Sequence, residues 1–244
     1  MRTAASAQVA PASPSAGTPA TDAVTAPAPR RPKIGLVLSG GGARGMTHVG
    51  VLKVMKQLNV EVDFIAATSM GAIVGGLYAS GMSPDEMEKQ IEGINWTTML
   101  SDSPARNDVS FRRKEFEAQF PLGLEIGFRD GEFRTLKGAL SGSNLELFLH
   151  ELTRNVDRID NFDKLPIPFR AIATDMVNGE QITFSSGRLY QAMRASMSVP
   201  GMFSPVELEG RILGDGGLVN NLPVDVVRAM GAEVVIAVNI GTPL

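Results

Sequence analysis

The chain has 244 residues, and its 23 Lys and Arg against 26 Asp and Glu give a formal net charge of -3 at pH 7. This balance offers no excess of cations to neutralise phosphates, which argues against nucleic acid as a partner. The chain has no cysteine and only two histidines, so disulfides, thiolate metal sites and cysteine nucleophiles are excluded and a multi-histidine metal site is disfavoured. No apolar run approaches the roughly 20 residues of a membrane-spanning helix.

Residues 1–32 differ in composition from the rest of the chain. They contain ten Ala, six of the fifteen Pro and no aromatic residue, so they predict a disordered tail or linker. We therefore expect one folded domain over residues 33–244. The tail lacks the apolar core of a signal peptide, so the protein is either cytoplasmic or a mature chain whose signal has been removed. The Ala- and Pro-rich composition fits a secreted or cell-surface protein better.

From Lys33 onwards, short apolar runs alternate with helical patterns. The run Ile34–Leu38 is apolar throughout, as is typical of a strand buried on both faces of a sheet. The pattern predicts strands over 34–38, 62–67, 167–174, 181–184 and 233–239, a hairpin over 206–213, and helices over 47–58, 70–79 and 188–197. Two more helices are predicted, one beginning at Ser83 and an amphipathic one that contains His150. This alternation indicates an α/β fold with a largely parallel sheet covered on both faces. The stretch 100–140 is the least regular.

The turn after the first strand is rich in glycine, and it consists of Gly40, Gly41, Gly42, Ala43, Arg44 and Gly45. Main-chain N–H groups point outward from such a turn, and the N-terminus of the next helix adds positive potential, so the turn is suited to an anion or an oxyanion. The spacing also fits a dinucleotide-binding fingerprint, but Glu61 and Asp63 lie at the wrong end of the next strand to hold a ribose. A phosphate-binding Walker loop is excluded because no Lys-Ser/Thr pair follows the glycines.

A second turn, Ala67-Thr68-Ser69-Met70-Gly71, connects the next strand to a helix. A sharp strand-to-helix turn raises a serine hydroxyl above the sheet, where a base and oxyanion donors reach it. The alternative is a serine that merely caps the helix N-terminus. The glycine-rich turn in the same sheet favours a nucleophile.

A third turn places Asp215 before two glycines, Gly216 and Gly217. The simple interpretation is an Asp-Gly hairpin turn, which is the commonest use of this pair. The functional interpretation is a carboxylate base for Ser69, since neither histidine of the chain stands in a context typical of a triad base. A serine without a histidine partner needs another base, and a Ser–Asp dyad supplies one.

Taken in order, the three turns resemble the motifs of the patatin-like phospholipases, over essentially all of residues 33–244. The resemblance implies a three-layer α/β sandwich related to the α/β hydrolases, with Ser69 as nucleophile, Asp215 as general base and the backbone of the Gly40–Gly45 loop as oxyanion hole. The middle of the chain is similar to bacterial members, most closely to passenger domains of autotransporters that fuse a patatin-like lipase to an outer-membrane barrel. The family elbow is G-x-S-x-G, and because Ala67 replaces its first glycine we expect a modest distortion of the turn.

The resemblance implies a lipid acyl hydrolase of the phospholipase A type, with a phospholipid or other lipid ester as substrate and peripheral contact with a membrane surface. No metal or other cofactor is expected. Such an enzyme would be secreted or lie at the surface of a bacterial cell, with a cytoplasmic location as the alternative. An acyl transferase with the same dyad and a non-catalytic lipid- or anion-binding module are the other functions considered. Phenylalanines mixed with Arg112, Arg113 and Lys114 within 108–136 predict a partly mobile cover that meets the lipid surface.

Overall fold

The computed structural model describes residues 30–94, 99 and 140–241, together with the backbone of 126–129 and 132–135. Apart from residues 30–32, the tail predicted for residues 1–32 lies outside these residues, and so do Arg112, Arg113 and Lys114 of the predicted cover.

The folded unit consists of strands and helices that alternate along most of the chain. The strands are β1 (Ile34–Leu38), β2 (Phe64–Thr68), β3 (Ile126–Arg129), β4 (Glu132–Thr135), β5 (Phe169–Asp175), β6 (Gln181–Phe184), β7 (Val206–Leu208), β8 (Arg211–Asp215) and β9 (Val234–Val238). The α-helices are α1 (Thr47–Gln57), α2 (Met70–Ala79), α3 (Pro84–Glu92), α4 (Ser143–Leu152), α5 (Leu189–Ser196) and α6 (Val224–Ala229). Short 3-10 helices lie at Gly42–Met46, Arg154–Val156, Phe162–Lys164 and Gly216–Leu218. None of the helices in the described ranges has the length and apolar character needed to cross a bilayer.

The central sheet is mixed and mostly parallel in its middle. Its hydrogen-bonded neighbours follow the order β7-β8-β5-β2-β1-β9, and β6 also pairs with β5. The pairs β9–β1, β1–β2 and β2–β5 are parallel, whereas β6, β7 and β8 pair antiparallel. The predicted α/β fold with a largely parallel sheet is thereby confirmed.

The register shows that β2 and β8 meet end to end along one edge of β5. Residues 171 and 172 of β5 pair with both β2 and β6, so these two strands lie on opposite edges. Residues 173 and 174 pair with both β6 and β8, so β8 lies opposite β6 and therefore on the edge of β2. Thr68 faces Ile172 and Asp215 faces Ala173, the next residue of β5. The last residue of β2 and the last residue of β8 are therefore neighbours.

Alternation along β1 and β2 divides the core between the two faces of the sheet, because successive side chains of a strand point to opposite faces. Leu36, Leu38, Ile65 and Ala67 pack into the large cluster with α1, α2 and α5. Val37 and Ala66 pack instead with Val227 of α6. The sheet is thus covered by helices on both faces, as expected.

Small residues in α2 allow this helix to lie close to the sheet. A Cβ atom at Gly71 would lie 2.5 Å from the carbonyl oxygen of Leu38 and 2.6 Å from that of Ser39, and Gly75 packs against Ile65. The helix that follows Ser69 is therefore fixed against β1 and β2 at close range.

Two features differ from the expectations. The irregular stretch 100–140 contains the antiparallel hairpin β3–β4, whose short strands carry too weak a pattern to stand out. The helix α6 was missed because only six residues form it, yet it covers one face of the sheet.

The predicted hairpin β7–β8 turns at Glu209 and Gly210, both with positive φ, which suits a tight two-residue turn.

Candidate active site

Ser69 stands between the end of β2 and the start of α2 in a strained backbone conformation. Its φ is 55° and its ψ is -127°, a region that non-glycine residues rarely adopt and that costs about 1–3 kcal/mol. Such a conformation is typical of a nucleophile elbow, since it turns the serine side chain away from the sheet. Ser69 lies in the predicted sharp strand-to-helix turn.

The hydroxyl of Ser69 is directly hydrogen-bonded to Asp215. Ser69 Oγ donates to Asp215 Oδ2 at 2.6 Å, the short distance of a hydroxyl donating to a carboxylate. The two residues are 5% and 6% exposed, so the contact is largely shielded from water. The structure therefore brings together the two residues that the sequence singled out as nucleophile and base.

Further hydrogen bonds fix the Asp215 carboxylate and its backbone. Gly217 N–H donates to Asp215 Oδ1 at 2.6 Å, and Thr174 Oγ1 donates to the Asp215 carbonyl oxygen at 2.7 Å. Asp215 N–H donates to the Ser198 carbonyl oxygen at 2.9 Å. Burial raises the pKa of the Asp215 carboxyl above its usual range, and the hydrogen bonds from Ser69 and Gly217 offset only part of this rise. Asp215 is therefore a stronger proton acceptor than an exposed aspartate.

Each of the two glycines after Asp215 lies where a larger side chain would clash, but with a different neighbour. A Cβ atom at Gly216 would lie 2.2 Å from the Ile172 carbonyl oxygen, so only glycine allows the chain to pass this close to β5. A Cβ atom at Gly217 would lie 2.8 Å from Asp215 Oδ1 and would disturb the carboxylate. Both glycines thus permit the approach of Asp215 to the end of β2.

The glycine-rich turn lies against the nucleophile. A Cβ atom at Gly40 would lie 2.9 Å from Ser69 Cβ, and one at Gly45 would lie 2.4 Å from Met70 Cβ, so side chains at these positions would displace the elbow. Gly42 has a φ of 57° and begins a 3-10 helix that leads into α1. The first N–H groups of a helix have no partner within it, and Gly42 and Ala43 line the same cavity as Ser69.

Three further residues of the predicted loop and elbow, Arg44, Thr68 and Ala67, lie at the surface or pack within the fold. Arg44 is exposed at the surface. Thr68 Oγ1 donates to the Asn220 carbonyl oxygen at 2.8 Å and ties the end of β2 to the segment after Asp215. Ala67 is fully buried and packs against Gly75 of α2. A Cβ atom at Gly75 would lie only 3.3 Å from the Cβ atom of Ala67. Gly75 thereby makes room for the methyl group that departs from the family elbow.

Neither histidine contacts the pair of Ser69 and Asp215 through its ring nitrogens. His48 is fully buried, and its Nε2 donates to the Ser39 carbonyl oxygen at 2.9 Å. Burial lowers the pKa of His48, against the opposing effect of that hydrogen bond, which favours the neutral ring. His150 is on α4, half exposed, and its Nε2 lies 3.7 Å from Asp157 Oδ1.

Two polar residues near the elbow were missed from the sequence. Asn221 Oδ1 accepts from Gly40 N–H at 3.1 Å, and it would lie 3.1 Å from a Cβ atom at Gly217, so it bridges the glycine-rich turn and the Asp215 turn. Ser196 Oγ accepts from Ser69 N–H at 2.8 Å. Asparagine and serine are common in loops, and no spacing rule singles out these two.

An apolar cavity of about 410 Å³ opens beside Ser69. Met70, Ile73, Val74 and Leu77 line it from α2 at spacings of three and four residues, which places them on one helix face. The other walls are formed by α3, α4 and the segment after α5, through Met87, Gln90, Ile91, Ile94, Leu145, Phe148, Leu149, Leu152, Met197, Val199, Met202 and Phe203. A volume and lining of this kind suit a small apolar ligand or an acyl chain.

Among the residues that the structure describes, no group of metal ligands lies near this site. Within the described ranges, no set of three or more His, Cys, Asp or Glu side chains is close enough to hold a metal ion. The chemistry available to the described residues is that of a serine, a carboxylate and main-chain N–H groups.

The family model for patatin-like phospholipases matches residues 36–228. The chain belongs to the patatin-like phospholipase family. The match includes all three turns that form the site, so the resemblance recognised in the sequence is confirmed at the level of the family.

Curated relatives of this patatin-like protein include an uncharacterised NTE family protein of Mycobacterium tuberculosis, 30% identical over 212 residues that cover 86% of this chain and 49% of the relative. Patatin-like phospholipase domain-containing protein 6 of Homo sapiens is 30% identical over 211 residues, which cover 86% of this chain and 13% of the relative. The chain thus spans about half the length of the mycobacterial relatives and a small part of the human one. These relatives bear the NTE and patatin-like names, so the specific similarity to autotransporter passengers stays a prediction.

The crystal structure of VipD from Legionella pneumophila has a similar fold. The superposition has a TM-score of 0.50 at 16% identity and covers 80% of this chain and 47% of VipD. At this level of identity the similarity bears on the fold alone.

The raised pKa of Asp215 makes a prediction about the stability of this patatin-like domain. A carboxyl whose pKa is higher in the folded than in the unfolded state favours folding when protonated, and this contribution is lost as the pH rises from about 3.9 through the folded pKa. Asp215→Asn keeps the shape without the charge. We therefore expect the variant to have a higher free energy of unfolding than the wild type at pH 7, with the difference shrinking towards pH 4.

Urea unfolding of both proteins over this pH range measures the difference. Asp225→Asn, which alters an aspartate outside the cavity, is the control and should track the wild type more closely. Equal stabilities of wild type and Asp215→Asn at every pH would contradict the expectation.

Proposed function

We propose that this protein is a serine esterase that hydrolyses acyl esters of lipids through a dyad of Ser69 and Asp215. The observation that carries the proposal is the 2.6 Å hydrogen bond from Ser69 Oγ to the buried Asp215 carboxylate, beside an apolar cavity. Membership of the patatin-like phospholipase family supports a lipid ester as substrate. We further propose that the lipid is a phospholipid, whose acyl ester the protein cleaves as a phospholipase A does.

In the first half-reaction, Ser69 Oγ attacks the carbonyl carbon of the ester and its proton passes to Asp215 Oδ2. The negative charge that develops on the carbonyl oxygen is stabilised by main-chain N–H groups of Gly42 and Ala43, each worth about 3 kcal/mol in comparable sites. The bond to the alcohol then breaks, and the leaving oxygen takes the proton from Asp215. The product is the free alcohol and an acyl group on Ser69.

In the second half-reaction, a water molecule attacks the acyl carbon and gives its proton to Asp215. The bond from the acyl carbon to Ser69 Oγ breaks, the oxygen of Ser69 recovers the proton, and the fatty acid leaves. Asp215 thus acts as base and then as acid in each half. A raised pKa suits this double role, because the carboxyl holds a proton more readily than an exposed aspartate does.

The cavity supports an acyl chain as the part of the substrate that the protein buries. From Met70 to Leu77 the lining of α2 extends along the helix by seven rises of about 1.5 Å each, or about 10 Å. The lining is almost entirely apolar, so a polar head group is expected to lie outside the cavity. Met202 lies on the cavity wall and is 51% exposed, which fits peripheral contact with a membrane surface.

We propose a location outside the bacterial cell, which fits the Ala- and Pro-rich composition of residues 1–32. A secreted or surface protein would meet lipid aggregates directly, whereas a cytoplasmic protein would meet the inner leaflet of its own membrane. Fractionation of the native host with an antibody to this domain distinguishes the two.

Replacing either member of the dyad should abolish or greatly reduce turnover. Ser69→Ala removes the nucleophile, so hydrolysis of a chromogenic ester and labelling by a fluorophosphonate should both be lost. Asp215→Asn removes the base, and kcat should fall by roughly 10²–10⁴-fold, the usual contribution of a positioned acid–base group. His150→Ala is the matched control and should keep most of the activity, because the ring of His150 contacts Asp157 and Tyr190.

Circular dichroism of each variant checks that the fold is retained. Undiminished turnover by Ser69→Ala would contradict the proposed nucleophile. Lipid binding by the wild type without any ester turnover would favour the non-catalytic binding module, and acyl transfer to an added alcohol in preference to water would favour the acyl transferase.

The cavity predicts a dependence of activity on acyl-chain length. Each methylene that becomes buried contributes about 0.8 kcal/mol, so kcat/KM for esters of one alcohol should rise by about fourfold per methylene until the cavity is filled. Leu77→Phe occupies part of the cavity at the end of α2 and should stop this rise at a shorter chain, with little effect on acetate esters. Leu58→Phe, at an exposed position, is the control. A flat dependence in the wild type would contradict binding of the acyl chain in this cavity.

A further inference from the structure

We propose that Ser196 is a positioning residue that holds the nucleophile in its reactive conformation, an inference that rests on the proposed function. Ser196 is the last residue of α5 and is fully buried. Its Oγ accepts a hydrogen bond of 2.8 Å from the backbone N–H of Ser69. A side chain 127 residues away in sequence therefore holds the backbone of the elbow.

The N–H group of Ser69 has no partner in regular secondary structure. The pairing of β2 with β5 ends at Thr68, and Ser69 precedes the first residue of α2. A helix N-terminus leaves its first N–H groups without internal acceptors, so a side-chain oxygen has to satisfy this buried group. The hydrogen bond to Ser196 fixes the peptide plane before Ser69, and with it the direction in which the hydroxyl points.

The same end of α5 also holds the proposed base. Two residues after Ser196, the Ser198 carbonyl oxygen accepts from Asp215 N–H at 2.9 Å. The side chain of Ser196 and the carbonyl of Ser198 therefore fix the backbones of nucleophile and base relative to each other. This arrangement does not depend on the hydrogen bond between Ser69 and Asp215, which is broken when Ser69 carries the acyl group.

The test compares Ser196→Ala with Ser80→Ala. Ser80 is also a buried serine at the end of a helix, and its Oγ donates to the Leu77 carbonyl oxygen at 2.7 Å, so the two variants lose similar groups from similar surroundings. We expect Ser196→Ala to lower kcat by about 10–100-fold with KM within about twofold, because small misplacements of a reacting group are costly. Ser80→Ala should retain kcat, and Ser196→Thr, which keeps the acceptor oxygen, should recover much of the loss.

A second measurement makes the test independent of catalysis. Hydrogen exchange of the Ser69 amide, followed by NMR in protein labelled with ¹⁵N-serine, should be faster in Ser196→Ala than in the wild type and unchanged in Ser80→Ala. Equal exchange in all three proteins would overturn the inference, as would equal kcat in an active enzyme. Absence of ester hydrolysis and of fluorophosphonate labelling in the wild type would contradict the proposed function, while the exchange measurement would still decide the role of Ser196.

Discussion

The meeting of β2 and β8 along one edge of β5 is the constraint on which the candidate site depends. Adjacent residues of β5, Ile172 and Ala173, pair with the last residues of the two strands. Ser69 follows one strand end and Asp215 forms the other, so their side chains come together although 146 residues separate them in sequence. Little space remains where the two strands end. Only glycine fits at position 216, because a Cβ atom there would clash with the backbone of β5.

The surroundings of this meeting point determine the protonation states that the chemistry needs. Burial raises the pKa of Asp215, so a carboxylate that would be a weak base in water becomes a stronger one. Burial also lowers the pKa of His48, whose Nε2 donates to the carbonyl oxygen of Ser39, the residue before the glycine-rich turn. The histidine thus supports the turn that lies against Ser69, and in the proposed mechanism the Asp215 carboxylate would take the role that a histidine has in a triad.

Much of this arrangement could be predicted because it depends on local sequence. Buried strands, the helix after Ser69 and the three glycine-containing turns each have a signature within a few residues. Spatial proximity of Ser69 and Asp215 did not follow from any one segment, because strand order and register depend on pairing between distant parts of the chain. Their pairing was inferred instead from the lack of a suitable histidine partner for Ser69, and the family resemblance implied the same two residues.

The parts that escaped prediction share the same cause. Ser196 and Asn221 each accept a hydrogen bond from a backbone group far away in sequence. The residues that flank them carry no pattern that would predict these hydrogen bonds. The sequence shows that the helix face of Met70 and Leu77 is apolar. Such a face more often packs against other side chains than lines a cavity, as it does here. Only the positions of α3 and α4 distinguish the two outcomes.

The central claim is that Ser69 and Asp215 act as one catalytic unit, and a double-mutant comparison tests it most directly. Rates of ester hydrolysis are measured for the wild type, Ser69→Ala, Asp215→Asn and the double variant under the same conditions. Residues that act together are strongly non-additive, so the double variant should be no slower than the slower single variant. Losses that multiply in the double variant would contradict the dyad and would show that the two residues contribute independently.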